Sequence, residues 1–279
     1  MTGFDQLRVP RLPGLAIVIV AAVAAIPAGA QAQTGCNRDN TNHANRIVQC
    51  DAVIAAGDMG NDAYASALFF RGYSLSQTGD KPAAIANYSA AIAVNPTLAN
   101  AYDNRGWLRH EAGQNEAAFA DVSRAVELNP QSQNAWSNRA TIALRMSRFD
   151  EAMISADRLL ALDPAHKTAH AFRARAYLGQ GRFAQAMTAI EQAIQRDPAA
   201  TYMLIDRGMI HQAQGDDLRA FGDYDAALRS TPNDAWGLYG RGLAQTRLGR
   251  IADGRADIAR ATTIMPDIAE HFARYGIRP

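Results

Sequence analysis

The sequence is poor in cysteine and lysine, and it carries no excess of either charge. Its 279 residues include only two cysteines, which excludes disulfide-dense scaffolds. Lysine occurs only as Lys81 and Lys167, and 28 basic residues oppose 27 acidic ones for a net charge of +1. A chain so close to neutral, without a basic cluster, is a poor non-specific ligand for nucleic acids or anionic membranes. The 48% hydrophobic content is that of an ordinary folded protein, not of a disordered or collagen-like one.

Only one long apolar run is present, and it lies near the N-terminus. Two arginines precede the apolar residues 15–26, and Pro27 and small residues up to Ala32 follow. This order is that of a secretory signal peptide, and the run of 12 residues is shorter than the roughly 20 of a membrane-spanning helix. We therefore expect residues 1–32 to be cleaved near Ala32 and the mature chain to be periplasmic or secreted. An uncleaved signal that anchors the chain in the inner membrane is the alternative.

The two cysteines, Cys36 and Cys50, both follow closely after the predicted signal. Exported chains meet oxidising conditions, and an even number of cysteines then favours a bridge. A disulfide over this short loop stabilises by about 3 kcal/mol in the chain-entropy model. The alternative, a redox pair, needs an activated thiolate beside a second close cysteine, and a separation of 14 residues offers none. The sequence therefore predicts a structural disulfide.

The sequence repeats itself every 34 residues. Six of its 11 prolines, from Pro96 to Pro266, are spaced by that interval. When each proline is numbered 32, position 15 is glycine in five repeats and Ser147 in the remaining one. Glycine or serine at position 15 permits the left-handed backbone that ends one helix, and the proline at position 32 ends the next. Each repeat is therefore predicted to be a helix, a tight turn and an antiparallel helix.

The recurring positions resemble the tetratricopeptide repeat (TPR) family. Residues 79–85 (Gly-Asp-Lys-Pro-Ala-Ala-Ile) and 91–96 (Ala-Ile-Ala-Val-Asn-Pro) carry the resemblance most clearly. It implies an all-α solenoid of about six repeats, in which antiparallel helix pairs stack into a right-handed superhelix.

The same resemblance divides the chain. The six repeats span residues 63–266, and the cysteine-containing helical segment before them, residues 33–62, is similar to that of exported bacterial members of the family. Residues 267–279 carry an apolar stripe formed by Ile268, Phe272 and Tyr275. This segment is predicted to be a capping helix, because the last repeat otherwise exposes its stacking face.

The resemblance further implies a concave groove, lined by the first helix of each repeat, in which family members commonly bind a peptide segment or a partner protein. Groove positions 2, 5, 9, 12 and 13 hold aromatic residues, asparagines and arginines, a composition typical of interaction hot spots. The candidate partner-binding residues are Phe69, Tyr73, Asn100, Asp103, Trp107, Asn134, Arg145, Arg175, Tyr202, Trp236 and Tyr239. For each of them, simple covering of a neighbouring repeat is the alternative. The lysines with which some family members grip a terminal carboxylate are absent, so a carboxylate clamp is not expected.

Position 7 departs from the family, which more often has leucine there. It is arginine in all six repeats: Arg71, Arg105, Arg139, Arg173, Arg207 and Arg241. Position 23 on the partner helix is aspartate in three repeats: Asp121, Asp223 and Asp257. Ion pairs within those repeats are expected, with the aliphatic stems buried. The other three repeats lack this acid, so whether Arg71, Arg139 and Arg173 are structural or bind an anionic ligand stays open.

Motifs for catalysis or metal binding are weak. His166 and His170 are four residues apart, but the first falls in an inter-repeat turn and the second at a core position. The sequence has no phosphate-binding loop and no nucleophile elbow. We therefore predict a non-enzymatic adaptor or scaffold, without metal or cofactor, that binds a protein or peptide partner in the cell envelope. A self-assembling or membrane-tethered structural protein is the alternative, and homo-oligomerisation stays open.

Overall fold

The computed structural model describes residues 36–37, 42–57 and 61–279, and over these residues the chain is all-helical. The predicted signal peptide lies outside them. Within the described part, no helix combines the length and the apolar character that crossing a bilayer requires. The helices are α1 (His43–Ala56), α2 (Asn61–Gln77), α3 (Lys81–Val94), α4 (Ala99–Glu111), α5 (Asn115–Leu128), α6 (Gln133–Arg145), α7 (Phe149–Leu162), α8 (Ala169–Gly179), α9 (Phe183–Arg196), α10 (Thr201–Ala213), α11 (Asp217–Ser230), α12 (Ala235–Arg247), α13 (Ile251–Ile264) and α14 (Ile268–Ala273).

Helices α2 to α13 form the six predicted pairs, and each helix packs against the next one along the chain. Every turn within a pair has a left-handed residue at position 15, with φ between 72° and 93° at the glycines and 58° at Ser147. A Cβ atom at Gly113 would meet nothing within 4 Å. Glycine is therefore favoured there by its backbone freedom and not by lack of space.

Small residues let the paired helices approach closely, as the periodicity predicts. A Cβ atom at Gly106 on α4 would lie 2.8 Å from the side chain of Val122 on α5. Tyr224 is fully buried, and Cβ atoms at Gly208 and Gly240, in consecutive repeats, would both collide with its ring. The first contact closes the helix pair of one repeat, and the ring of Tyr224 joins the fifth repeat to the sixth.

The predicted disulfide is present in the structure and joins Cys36 to Cys50. Both cysteines are buried, and they pack with Val53 of α1 and Ala67 of α2. The bridge therefore ties Cys36 to α1, and the packing of both cysteines on Ala67 places α1 against the first repeat.

The arginines at position 7 are structural where the sequence supplies an acid. Arg105 makes a bidentate pair with Asp121, with Nε to Oδ2 at 2.9 Å and Nη2 to Oδ1 at 2.7 Å. Arg207 and Arg241 pair in the same way with the aspartates of their own repeats. Such charge-assisted bidentate bonds fix the two helices of a repeat in register.

The same arginines also connect consecutive repeats. Arg241 Nη1 donates to Asp225 of the preceding repeat at 2.9 Å, and Arg105 Nη1 donates to Ser89 at 3.0 Å. The three arginines without an acid at position 23 have other partners: Asp51 at 2.8 Å from Arg71, Ser155 at 2.9 Å from Arg139, and Asp157 at 3.4 Å from Arg173. Each of the six arginines thus has a partner within the chain.

Candidate peptide-binding groove

The first half of the groove is open. Two adjoining cavities of about 830 Å³ and 440 Å³ are lined by α1, α2, α3, α4 and α6. We call this region the open half. Six of the predicted binding residues line it: Phe69, Tyr73, Asn100, Asp103, Trp107 and Asn134.

Two aromatic rings in the open half are accessible to a ligand. Tyr73 and Trp107 occupy position 9 of consecutive repeats and are 38% and 36% exposed. Tyr73 is held by α1, because the His43 ring lies 5.8 Å from its centroid and the Arg46 guanidinium carbon lies 5.6 Å from it. A large aromatic ring on a fixed support, half open to water, is a typical anchor for a binding partner.

Polar groups in the open half divide into free and engaged ones. Asn100 and Asn134 are exposed, and their side-chain amides make no hydrogen bond to any described residue. Asp103 is buried and accepts a hydrogen bond from Asn138 Nδ2 at 2.9 Å. Burial raises the pKa of Asp103, and the bond from Asn138 offsets part of that rise. The two free amides are therefore the ones available to a ligand.

Sequence reasoning missed part of this lining. His43 and Arg46 belong to α1, outside the 34-residue lattice, so groove positions counted along the repeats could not include them. Asn104 and Asn138 share position 6 of consecutive repeats and also line the open half. Their recurrence at the same position was a signal in the sequence. They were missed because the predicted set included only positions 2, 5, 9, 12 and 13.

The second half of the groove is filled by the chain's own C-terminal segment, residues 267–279. Helix α14 forms its first part and ends at Ala273, and Tyr275 and Ile277 beyond the helix are also buried. Phe272 is fully buried, with its ring 5.5 Å from that of Trp236 and 4.9 Å from that of Tyr239. The segment thus covers groove positions in addition to packing on the last repeat. We call this region the covered half.

The C-terminal segment reaches back from the sixth repeat to the third. Arg145 on α6 donates to Asp267 Oδ2 at 2.9 Å and also contacts the ring of His271. Further along, the Tyr275 ring lies 5.9 Å from that of Phe149. Arg145, predicted as a ligand-binding residue, is therefore engaged by the chain itself.

The contact of Asp267 and His271 with Arg145 shifts the pKa values of both groups. Burial alone raises the pKa of Asp267, but hydrogen bonds from Arg145 and His271 bring it below its usual value. Burial lowers the pKa of His271, and the positive charges of Arg145 and Arg274 lower it further. Docking of the segment is consequently coupled to the ionisation of both groups.

A half-buried ion pair lies beside the segment. Arg175 Nε donates to Asp206 Oδ1 at 2.8 Å, and the Arg175 side chain is 35% exposed whereas Asp206 is only 2% exposed. Its other oxygen, Oδ2, has no hydrogen-bond partner among the described residues. Burial raises the pKa of Asp206, and Arg175 opposes that rise. Tyr202, near this pair, keeps 36% of its surface exposed.

The histidines noted in the sequence do not form a metal site in the structure. His166 Nδ1 lies 3.3 Å from the Thr168 hydroxyl, and His170 is buried with both ring nitrogens unbonded. Among the described residues, no group of three or more histidine, cysteine or acidic side chains is placed to hold a metal ion.

Comparison with known families identifies the repeats. The sequence profile described as "Tetratricopeptide repeat" matches residues 69–133, 104–167 and 172–235, which together make up more than half of the chain. The chain belongs to the tetratricopeptide repeat family. No curated protein sequence is significantly similar to it.

Solved TPR structures share its fold. A TPR protein from Parabacteroides merdae has a TM-score of 0.70 at 17% identity, over 85% of this chain and 94% of that one. A thermophilic TPR protein from Thermus thermophilus has a TM-score of 0.55 at 20% identity, over 64% of this chain and 97% of that one. A MamA protein from Desulfovibrio magneticus has a TM-score of 0.54 at 15% identity, over 59% of this chain and 93% of that one. At such identities the likeness concerns the fold alone.

Proposed function

We propose that this protein is an exported, non-enzymatic adaptor that binds an extended segment of another cell-envelope protein in the open half of its groove. TPR proteins generally mediate protein–protein interactions, and the fold is typically a non-catalytic scaffold. The observation that carries the proposal is the open half itself, a cavity of about 830 Å³ joined to a smaller one, with Trp107 and Tyr73 exposed in it.

The open half supplies both kinds of contact that an extended chain needs. The amides of Asn100 and Asn134 lie one repeat apart and are free to donate to a carbonyl and accept from an N–H of a ligand backbone. Trp107 and Tyr73 offer apolar faces to ligand side chains. Backbone contacts fix the ligand's direction, while the aromatic pockets select its side chains.

Export is the second part of the proposal. Residues 1–32 have the order of regions of a signal peptide, and the disulfide between Cys36 and Cys50 suits an oxidising compartment. N-terminal sequencing of the chain from an envelope fraction should give Gln33 as the first residue. A chain that starts at Met1 and stays with the inner membrane would instead support the anchored alternative.

The groove is tested with the mature chain, residues 33–279, immobilised and exposed to envelope extract. The parent is compared with Trp107→Ala, with the double variant Asn100→Ala, Asn134→Ala, and with Leu218→Ala as the matched control. Leu218 is 68% exposed and lies on α11, outside the lining of the open half. Quantitative mass spectrometry identifies partners that the groove variants lose and the control retains.

For such a partner, Trp107→Ala should weaken binding by more than about 1 kcal/mol, or about fivefold in Kd, without loss of helical content. Equal capture by all four chains would contradict the groove as the binding surface. If every chain captures only further copies of itself, self-assembly becomes the better explanation, and light scattering of the mature chain would show it.

A further inference from the structure

The floor of the covered half is aromatic at Trp236 and Tyr239 but also carries charged groups. Arg145 and Arg175 keep 32% and 35% of their side chains exposed, whereas Asp206 is buried and one of its carboxylate oxygens has no hydrogen bond among the described residues. Covering a charged pair costs desolvation free energy that an apolar floor would not cost. These groups regain water or accept new partners when the cover leaves.

The cover is a short segment held by its side chains. It follows α13 directly after Met265 and Pro266. Its one helix, α14, has six residues, too few to be stable in isolation. Docking therefore depends on the side chains that the segment buries or pairs: Asp267, Ile268, Phe272, Tyr275 and Ile277.

We propose that the covered half is a second peptide-binding surface, that the C-terminal segment is its resident ligand, and that a partner segment of the same chemistry displaces it. The proposal deepens the adaptor function and rests on it, since it states what the partner should contain. The pattern is a carboxylate for Arg145, then two aromatic side chains three residues apart, and an aliphatic side chain two residues further on.

The contacts of the resident segment explain each element of that pattern. Arg145 would pair with a carboxylate of the partner, as it pairs with Asp267 of the resident segment. The first aromatic ring would pack on Trp236 and Tyr239, as Phe272 does, and the second would pack on Phe149, as Tyr275 does. Displacement of the segment would open the groove along its full length. Because the resident segment is tethered, its effective concentration is high, and a partner must bind tightly enough to compete with it.

A labelled synthetic peptide of residues 267–279 tests the proposal on the full mature chain. The tail variant Phe272→Ala, Tyr275→Ala removes both aromatic anchors of the resident segment while the peptide keeps them. Phe221→Ala is the control. Phe221 lies on α11, and its ring packs beside the guanidinium of Arg250, away from the covered half. Fluorescence anisotropy measures peptide affinity, and circular dichroism measures helical content.

The peptide should bind the tail variant at least about tenfold more tightly than it binds the parent or the control, because the parent's own segment competes from the same chain. A peptide with the same two alanines should bind none of the chains. The proposal is overturned if the intact peptide fails to bind a folded tail variant. It is equally overturned if the tail variant loses its helical content, since the segment would then be part of the core. Trp107→Ala should leave peptide binding unchanged, which separates this test from that of the open half.

Discussion

Removing the carboxylate of Asp121 should destabilise the second repeat severely. Asp121 is 4% exposed and accepts hydrogen bonds from Arg105 at 2.7 and 2.9 Å and from Arg109 at 2.7 Å. Asp121→Ala leaves the largely buried guanidinium of Arg105 without its counter-charge, and breaking a buried pair in this way costs about 3–5 kcal/mol. Arg109 is more exposed and can turn to water, so we expect a loss near the lower end, about 3 kcal/mol, in urea unfolding followed by circular dichroism.

The double variant Arg105→Leu, Asp121→Leu is the informative control. It restores the leucine more usual at position 7 and leaves no unpaired charge in the pair, so it should recover most of the lost stability. Arg173 offers a contrast, because its 3.4 Å contact with Asp157 is partly exposed and Arg173→Met should cost less than about 1 kcal/mol. If Asp121→Ala proves as mild as Arg173→Met, the arginines do not hold the repeats together, and an anion-binding role for them becomes the better explanation.

Three further measurements probe other parts of the chain. Ser147→Gly should stabilise by about 0.5–1 kcal/mol and Gly113→Ser should destabilise by a similar amount, because both positions are left-handed; equal effects of one sign in urea unfolding would contradict this. Binding of the 267–279 peptide to the tail variant should weaken as the pH falls below about 6.5, by at most about tenfold per pH unit, because docking lowers the pKa of His271 and so favours its neutral ring; a His271→Gln peptide should show no such dependence. Cys36→Ser, Cys50→Ser should cost up to about 3 kcal/mol, and reductant should have the same effect on the parent and none on the variant.

The repeats were predictable because their determinants are local and periodic. Proline at position 32 and a left-handed residue at position 15 each act through the backbone of one or two residues, so their meaning does not depend on the rest of the fold. Even Ser147, which replaces glycine at position 15 of the third repeat, adopts the same left-handed conformation. The arginine–aspartate pairs were predictable for the same reason, because the pairing has the same register in each of the three repeats that carry both residues.

The ion pairs of Arg71 and Arg173 were not predictable in this way. Asp51 lies on α1 and Asp157 on the preceding repeat, and those choices follow from how neighbouring elements stack. Arg139 instead bonds Ser155 at position 23 of its own repeat, in the register of the arginine–aspartate pairs. The sequence analysis also missed His43 and Arg46 as lining residues, because α1 lies outside the 34-residue register of the repeats.

The covered half shows why a groove cannot be read from periodicity alone. Trp236, Tyr239 and Arg145 have the residue types and positions of ligand contacts, but in the structure they contact residues 267–279 of the same chain. The stripe of Ile268, Phe272 and Tyr275 predicts an apolar face, but it does not predict which surface that face packs against. A partner segment and the chain's own segment satisfy such a surface by the same contacts. What distinguishes them is the tether, which gives the resident segment an entropic advantage that a partner can overcome only with contacts of its own in the open half.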